Sequence, residues 1–346
     1  MKSVDPMLPK DNRLHFRREE KIVNIKHQFL FAVQVMLGFA LLTPSSLFAE
    51  GYPDRPIQIV IPNTAGSSMD LGGRMIAAEM EKILGVSIIP TNKPGAGTVL
   101  GTDTVIRSKK DGYTLLYNDL QSALIIAPII NPEIVHYDAS KDVEPLGFHF
   151  LFPNTITVRA DSPWKTFLEL IDYAKKNPGK LRFSTMGIGT LPHLLLEMIQ
   201  AITGTQFTHI PFKGGESVVT AVLGGHVEAT CHSLAGVKPH VDSGNMRVLL
   251  INNKMPAFPE IPTITELGYK ASLPIAGFGL YAPAGIPEEA KNVLIPAMEK
   301  AVRNTKSKVE EMWGVIQYKS PLEQRKMWEE EYQKIFEIAT QIGLRK

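Results

Sequence analysis

Apolar and polar positions along the chain alternate between two periods. Residues 57–61 (IQIVI) form a short apolar run that predicts a buried strand, and from Asp70 to residue 84 the apolar spacing becomes helical. A second strand is expected over 86–90 and a third over 113–117, with a helical segment between them that ends near Lys109. Near residue 153 the pattern begins again. It predicts a strand over 154–158, a helix over 164–176 opened by Ser162 and Pro163 and stopped at Asn177-Pro178-Gly179, and a strand over 182–185. A helix over 193–203, strands over 207–211, 227–231 and 246–251, a helix over 217–223 and a strand over 277–282 follow. Such alternation predicts an α/β fold with largely parallel sheets. In the tail, Trp328, Tyr332, Ile335, Phe336, Ala339 and Ile342 recur at helical spacing, an apolar stripe that reads as packing.

The polar residues that interrupt this pattern collect after the predicted strands, where open α/β sheets gather ligands. The first strand empties through Pro62, Asn63, Thr64, Ala65, Gly66, Ser67 and Ser68 into the helix that carries Asp70. A small-residue turn into a helix N-terminus presents backbone N–H groups and the positive end of the helix dipole, an arrangement suited to an anion. Read alone, the same turn is also what a serine cap and a turn glycine produce. Asn118, Asp119, Gln121 and Ser122 follow the third strand and are candidates for the same cleft. The stretch from Thr185 repeats the first: Gly187, Gly189 and Thr190 precede a helix that opens at His193. Two such helix ends facing each other would hold both ends of a small anion. Gly187-Ile188-Gly189 lacks the third glycine and the acidic residue of a dinucleotide fingerprint. Lys213 and Gly214 follow the 207–211 strand, and His232 and Ser233 follow 227–231. His193 and His232 read as capping or core residues, and no metal or cofactor site is expected. Gly72, Gly73 and Pro296 fall inside predicted helices, where each costs stability.

The N-terminus has its own pattern. Lys10, Arg13, Arg17, Arg18, Lys21 and Lys26 precede the apolar run 29–42, which leads to small residues and Ala49. This is the order of a secretory signal peptide, residues 1–49, and the run is short of the ~20 residues of a membrane span. The expectation is therefore a periplasmic protein. Residues 1–49 hold 7 of the 37 basic and 4 of the 35 acidic residues, leaving 30 against 31. A near-neutral mature chain has no basic stripe for nucleic acid and no cluster for a membrane surface. The single cysteine, Cys231, excludes an intramolecular disulfide.

Several stretches together resemble one family. They are Tyr52-Pro53-Asp54-Arg55-Pro56-Ile57, Ala65-Gly66 with Asp70, Asn92-Lys93-Pro94-Gly95-Ala96-Gly97 and Asp111-Gly112-Tyr113-Thr114-Leu115-Leu116. Further on come Pro178-Gly179-Lys180-Leu181, Gly187 and Gly189 with His193, Pro211-Phe212-Lys213-Gly214-Gly215, Pro259-Glu260-Ile261-Pro262-Thr263 and Ala282-Pro283-Ala284-Gly285. Over 52–343 the chain resembles the Bug-type extracytoplasmic solute receptors, the substrate-binding proteins of tripartite tricarboxylate transporters. The resemblance implies a type II periplasmic-binding-protein fold, with two α/β lobes joined by crossing strands around a ligand cleft. Lobe 1 would be 50–153 and 277–346, and lobe 2 would be 154–276. It implies a monomer without enzymatic activity or cofactor, which takes a small carboxylate through the 64–68 and 187–190 loops and hands it to membrane permease subunits. Cys231-His232-Ser233 stands where many relatives carry an acidic residue, which implies a ligand without an ammonium group. His232 would then donate to a second carboxylate or a hydroxyl. Two other readings stay open: a receptor feeding a membrane sensor, and a hydrolase using Ser184 or Ser67 with His193 or His232, although the Gly-x-Ser-x-Gly elbow is missing. Aromatic dicarboxylates, citrate-like acids and short dicarboxylates all remain candidate ligands.

Overall fold

The computed structural model describes residues 51–345, and the expected signal peptide, residues 1–49, lies outside them. From Tyr52 onward the chain forms one compact unit. Its strands, in chain order, are β1 (Ile57–Ile61), β2 (Ile88–Asn92), β3 (Thr114–Asp119), β4 (Val143–Phe152), β5 (Asn154–Arg159), β6 (Arg182–Thr185), β7 (Thr208–Pro211), β8 (Ala229–Ser233), β9 (Met246–Ile251), β10 (Ala276–Pro283) and β11 (Val315–Lys319). They make two sheets. The first has the order β11-β4-β10-β3-β1-β2 and the second β7-β6-β8-β5-β9.

Both sheets are mixed, not largely parallel. β1 lies parallel to β2 and β3, and β6 parallel to β7 and β8. β10 runs antiparallel to β3 and β4, and β5 antiparallel to β8 and β9. The reason is the route of the chain. β4 leaves the first sheet through Pro153 straight into β5, and the chain comes back as β10 beside β4, necessarily in the opposite direction. Backbone bonds brace the return, with Leu120 N–H donating to Gly277 O at 2.8 Å and Gly277 N–H to Gln121 Oε1 at 3.2 Å.

The apolar run of β1 is buried on both faces except at Gln58, as expected of a strand inside a parallel set. Against it packs the helix Ser68–Leu84, and here the two helical glycines find their reason. A Cβ added at Gly72 would lie 2.5 Å from the Tyr117 hydroxyl, and one at Gly73 would lie 2.7 Å from Ile61 Cδ1. The helix rides on the sheet closer than any side chain allows, which offsets the ~1 kcal/mol that each glycine costs a helix. The C-terminal helix Pro321–Gln341 buries Trp328, Ile335 and Ala339, with Tyr332, Phe336 and Ile342 partly buried against the same core.

Several boundaries differ from the sequence reading. Asn118 and Asp119 end β3, and His232 and Ser233 end β8; none of them follows a strand. The helix expected from Trp164 is Phe167–Lys176, because Thr166 and Glu169 form a capping box and Ser162 does not cap it. The helix placed from His193 starts two residues earlier, at Leu191. β4 and β11 carry no alternation that marked them as strands in the sequence.

Candidate functional site

The site is built where loops of the first sheet meet loops of the second. In the 63–70 turn, Asn63 Oδ1 accepts from Thr64 N–H at 2.8 Å, and Ser67 caps the helix by accepting from Asp70 N–H at 3.2 Å. Gly66 takes φ +81°, which turns its N–H onto Asp70 Oδ2 at 3.0 Å. Asp70 also accepts from Arg74 Nε at 2.9 Å and from Asn92 Nδ2 at 2.8 Å. Burial alone would raise its pKa, but the Arg74, Asn92 and Gly66 bonds outweigh that and hold the carboxyl below the usual range. Asp70 is thus an interior tie that shapes the turn and does not face the cleft. At the helix start, the Ser68 and Met69 N–H groups have no acceptor within the helix.

The second turn is organised differently. Gly187 (φ +127°) donates to Thr185 Oγ1 at 3.3 Å, and Thr190 Oγ1 donates back to Gly187 O at 2.7 Å. Gly189 (φ +83°) donates to His193 Nδ1 at 3.4 Å. The His193 ring stacks on His209 at 4.5 Å, and His209 Nε2 lies 2.6 Å from Thr185 Oγ1. Burial, and for His193 also the neighbouring His209, lowers both imidazoles to a pKa of about 4, so both are neutral at pH 7. The N-cap of the helix is Thr190, whose hydroxyl turns to Gly187, and the buried His193 holds Gly189 of the preceding turn.

Across the boundary the two sets of loops touch directly. Ser68 Oγ lies 2.7 Å from Ser233 Oγ, Asn63 Nδ2 donates to Met186 Sδ at 3.4 Å, and Leu191 N–H donates to Ser122 Oγ at 3.3 Å. A Cβ added at Gly214 would overlap the side chain of Thr64, and one at Gly97 would lie 2.5 Å from Ile188 O. The loops enclose two spaces. An outer chamber of about 300 Å³ opens to solvent between Asn63, Ala96 and Gly97 on one side and Ile188, Phe212 and the exposed Lys213 on the other. A small inner cavity of about 30 Å³ lies behind it, reached by Ser67, Ser68, Asp119, Ser122, Asn154 and His232. Asn63 and Met186 wall both.

About half of the expected residues converge here: Asn63, Ser67, Ser68, Asp119, Ser122, Gly187, Lys213, Gly214, His232 and Ser233 line one space or the other. Asn118 and Gln121 do not. Asn118 Nδ2 donates to Thr102 Oγ1 at 3.0 Å, and Gln121 braces Gly277. Thr185, Gly189, Thr190 and His193 shape the second turn from behind, and the exposed Ala65 and Gly66 line neither space. The sequence reading missed the 95–98 loop and Asn154. The first had a signal, the small-residue turn after β2, where Ala96, Gly97 and Thr98 all take positive φ. Ser184 is buried and donates to Val218 O at 3.1 Å, while Ser67 is spent on its cap. Among the described residues, neither serine is paired with an imidazole base.

Known proteins share this architecture. Residues 73–344 match the model of the tripartite tricarboxylate transporter family receptor. The UPF0065 protein in gbd 5' region of Cupriavidus necator is 37% identical over 277 residues, covering 78% of this chain and 81% of the relative. Protein BugT of Bordetella pertussis is 34% identical over 239 residues, 68% of this chain and 73% of that protein. Among solved structures, periplasmic binding protein BugD superposes with a TM-score of 0.81 at 27% identity, covering 85% of this chain and 100% of that one. MatC from Rhodopseudomonas palustris, solved with bound malate, gives 0.78 at 25% identity over 83% of this chain and 99% of its own. The matched family is one of transporter receptors and BugD is a periplasmic binding protein, not an enzyme; the chain belongs to the tripartite tricarboxylate transporter receptor family.

Proposed function

We propose that this receptor works in the periplasm, closes by a hinge on a small carboxylate and delivers it to the permease of a tripartite tricarboxylate-type transporter. The observation that carries the reading is the pair of loop sets meeting around the 300 Å³ chamber, with Lys213 on its wall. Phe152-Pro153-Asn154 and the segment entering β10 at Ala276 are the crossings about which lobe 154–276 turns on the rest of the chain. Contacts such as Ser68 to Ser233 and Leu191 to Ser122 exist only when the lobes are together, so a ligand touching both loop sets favours the closed form by its extra contacts there. The Lys213 ammonium on the chamber wall gives a carboxylate a charge-assisted hydrogen bond. MatC, with its malate, is a relative whose ligand fits this description.

A thermal-shift screen of the purified secreted chain against mono-, di- and tricarboxylates, with amino acids and sugars as controls, tests the proposal. A ligand at a hundredfold excess over Kd stabilises the folded form by about 2.7 kcal/mol, so a true ligand is readily seen. Shifts confined to carboxylates are expected. A shift from a neutral sugar with silence from every acid overturns the carboxylate reading.

A further inference from the structure

We infer that the inner cavity reads a hydroxyl group on the ligand, so that the receptor takes hydroxycarboxylates in preference to their deoxy counterparts. The inference rests on the carboxylate reading above and narrows it. Two side chains that reach this cavity, Asn154 and His232, are buried to 3% exposure, and each keeps a polar atom without a partner: Asn154 Nδ2 and His232 Nδ1. Buried polar atoms in folded proteins are almost always satisfied, so such a pair asks for a group to satisfy it.

The His232 ring is held in its seat by two glycines. A Cβ added at Gly236 would come within 2.6 Å of Nε2, and one at Gly215 within 3.2 Å. The third polar group is the carboxylate of Asp119, whose Oδ1 already takes Ser122 N–H at 2.5 Å. Together they offer a donor on Asn154, an acceptor on Asp119 and, on His232, a nitrogen that serves as either.

Three ligand groups compete for this set. A second carboxylate brings only acceptors, and Asp119 meets them with acceptors of its own. An ammonium brings only donors and leaves Asn154 Nδ2 facing another donor. A hydroxyl donates once and accepts twice, and so answers all three groups. The partition between chamber and cavity is a weak N–H to sulfur contact, Asn63 to Met186 at 3.4 Å, and methionine changes rotamer easily. A ligand whose body fills the chamber can pass one small substituent through it.

The experiment is calorimetric titration of the full secreted protein with matched pairs: malate and succinate, citrate and tricarballylate, mandelate and phenylacetate. In any pair that binds, the hydroxy acid is expected to be tighter by about 10- to 100-fold, because the deoxy acid leaves buried polar groups unpaired. Asn154→Leu should shrink that ratio toward one, and His232→Leu should do the same if the first variant fails to fold. Acids that bind without a hydroxyl preference mean that water occupies the cavity, and they overturn this inference while leaving the carboxylate reading in place. A ratio that survives in both folded variants also overturns it. Silence from all six acids overturns the carboxylate reading and this inference with it.

Discussion

The two glycine turns of the cleft read almost alike in sequence and are built to different ends. The first, from Asn63 to Asp70, closes on itself: Asp70 collects Gly66, Arg74 and Asn92, and the helix behind still starts with the Ser68 and Met69 N–H groups unassigned within it. The second spends its donors. Gly187 N–H goes to Thr185, Gly189 N–H to His193, Leu191 N–H to Ser122 across the cleft, and Pro192 has none to give. A helix N-terminus is therefore an anion site only after its local acceptors are counted. The difference teaches that, of the two turns, the first leaves helix-start N–H groups without a partner inside the helix while the second ties its own to side chains.

The sharpest way to break this comparison is Gly189→Asp. Gly189 holds φ +83°, and its added Cβ would sit 3.2 Å from Ala127 Cβ on the opposite loop, so strain, contact and like charge all act against closure. Carboxylate affinity by titration should fall on the order of 100-fold. An unchanged Kd would remove the second turn from the site.

Asp70→Ala probes the first turn. It strips one buried acceptor from three partners and should cost about 1–3 kcal/mol in a urea titration of the unliganded protein. Because the native carboxyl titrates below its ordinary value, that contribution is present above about pH 4 and disappears as pH falls through the native pKa. A variant as stable as the parent at pH 7 would mean that the tie does not shape the turn.

A smaller effect is expected from Ser122→Ala, which removes the acceptor for Leu191 N–H across the cleft and a hydroxyl bonded to Asp119 on its own side. The hydrogen bond made on closure corresponds to about 2- to 10-fold in ligand affinity, and the bond to Asp119 to a small fall in the unliganded Tm. Loss of Tm with no loss of affinity would show the contact to be equally present without ligand.

The smallest effect at neutral pH is that of His193→Gln, and its signature is a slope. Native His193 stays neutral down to about pH 4, whereas the unfolded chain protonates its imidazole near 6.5. Stability is therefore full above about 6.5 and falls as pH drops toward 4. In the variant, Tm measured over that window should fall less steeply than in the parent; parallel curves would show that His193 does not contribute.

Much of this was legible beforehand because periodicity reports burial directly. β1 and β9 have the bounds that the apolar runs gave, and the tail stripe packs on the core. The turn chemistry also marked the right places, since Gly66, Gly187 and Gly189 take the positive φ that glycine permits. What was not legible is which polar residue at a strand end faces the cleft. Asn118 and Asp119 are neighbours on β3, yet one is bound to Thr102 in the interior and the other reaches the cavity, because successive side chains point to opposite faces.

The sequence by itself determined the alternating strands and helices, the placement of small-residue turns ahead of helices and the near-neutral charge, since these depend on local sterics, spacing and composition. Only the tertiary structure decided that the sheets are mixed, that Gly72 and Gly73 are demanded by Tyr117 and Ile61, and that Asn154 and His232 share a cavity. Those facts depend on which surfaces meet after the chain crosses from β4 to β5 and returns as β10, and no local period encodes the partner on the other side.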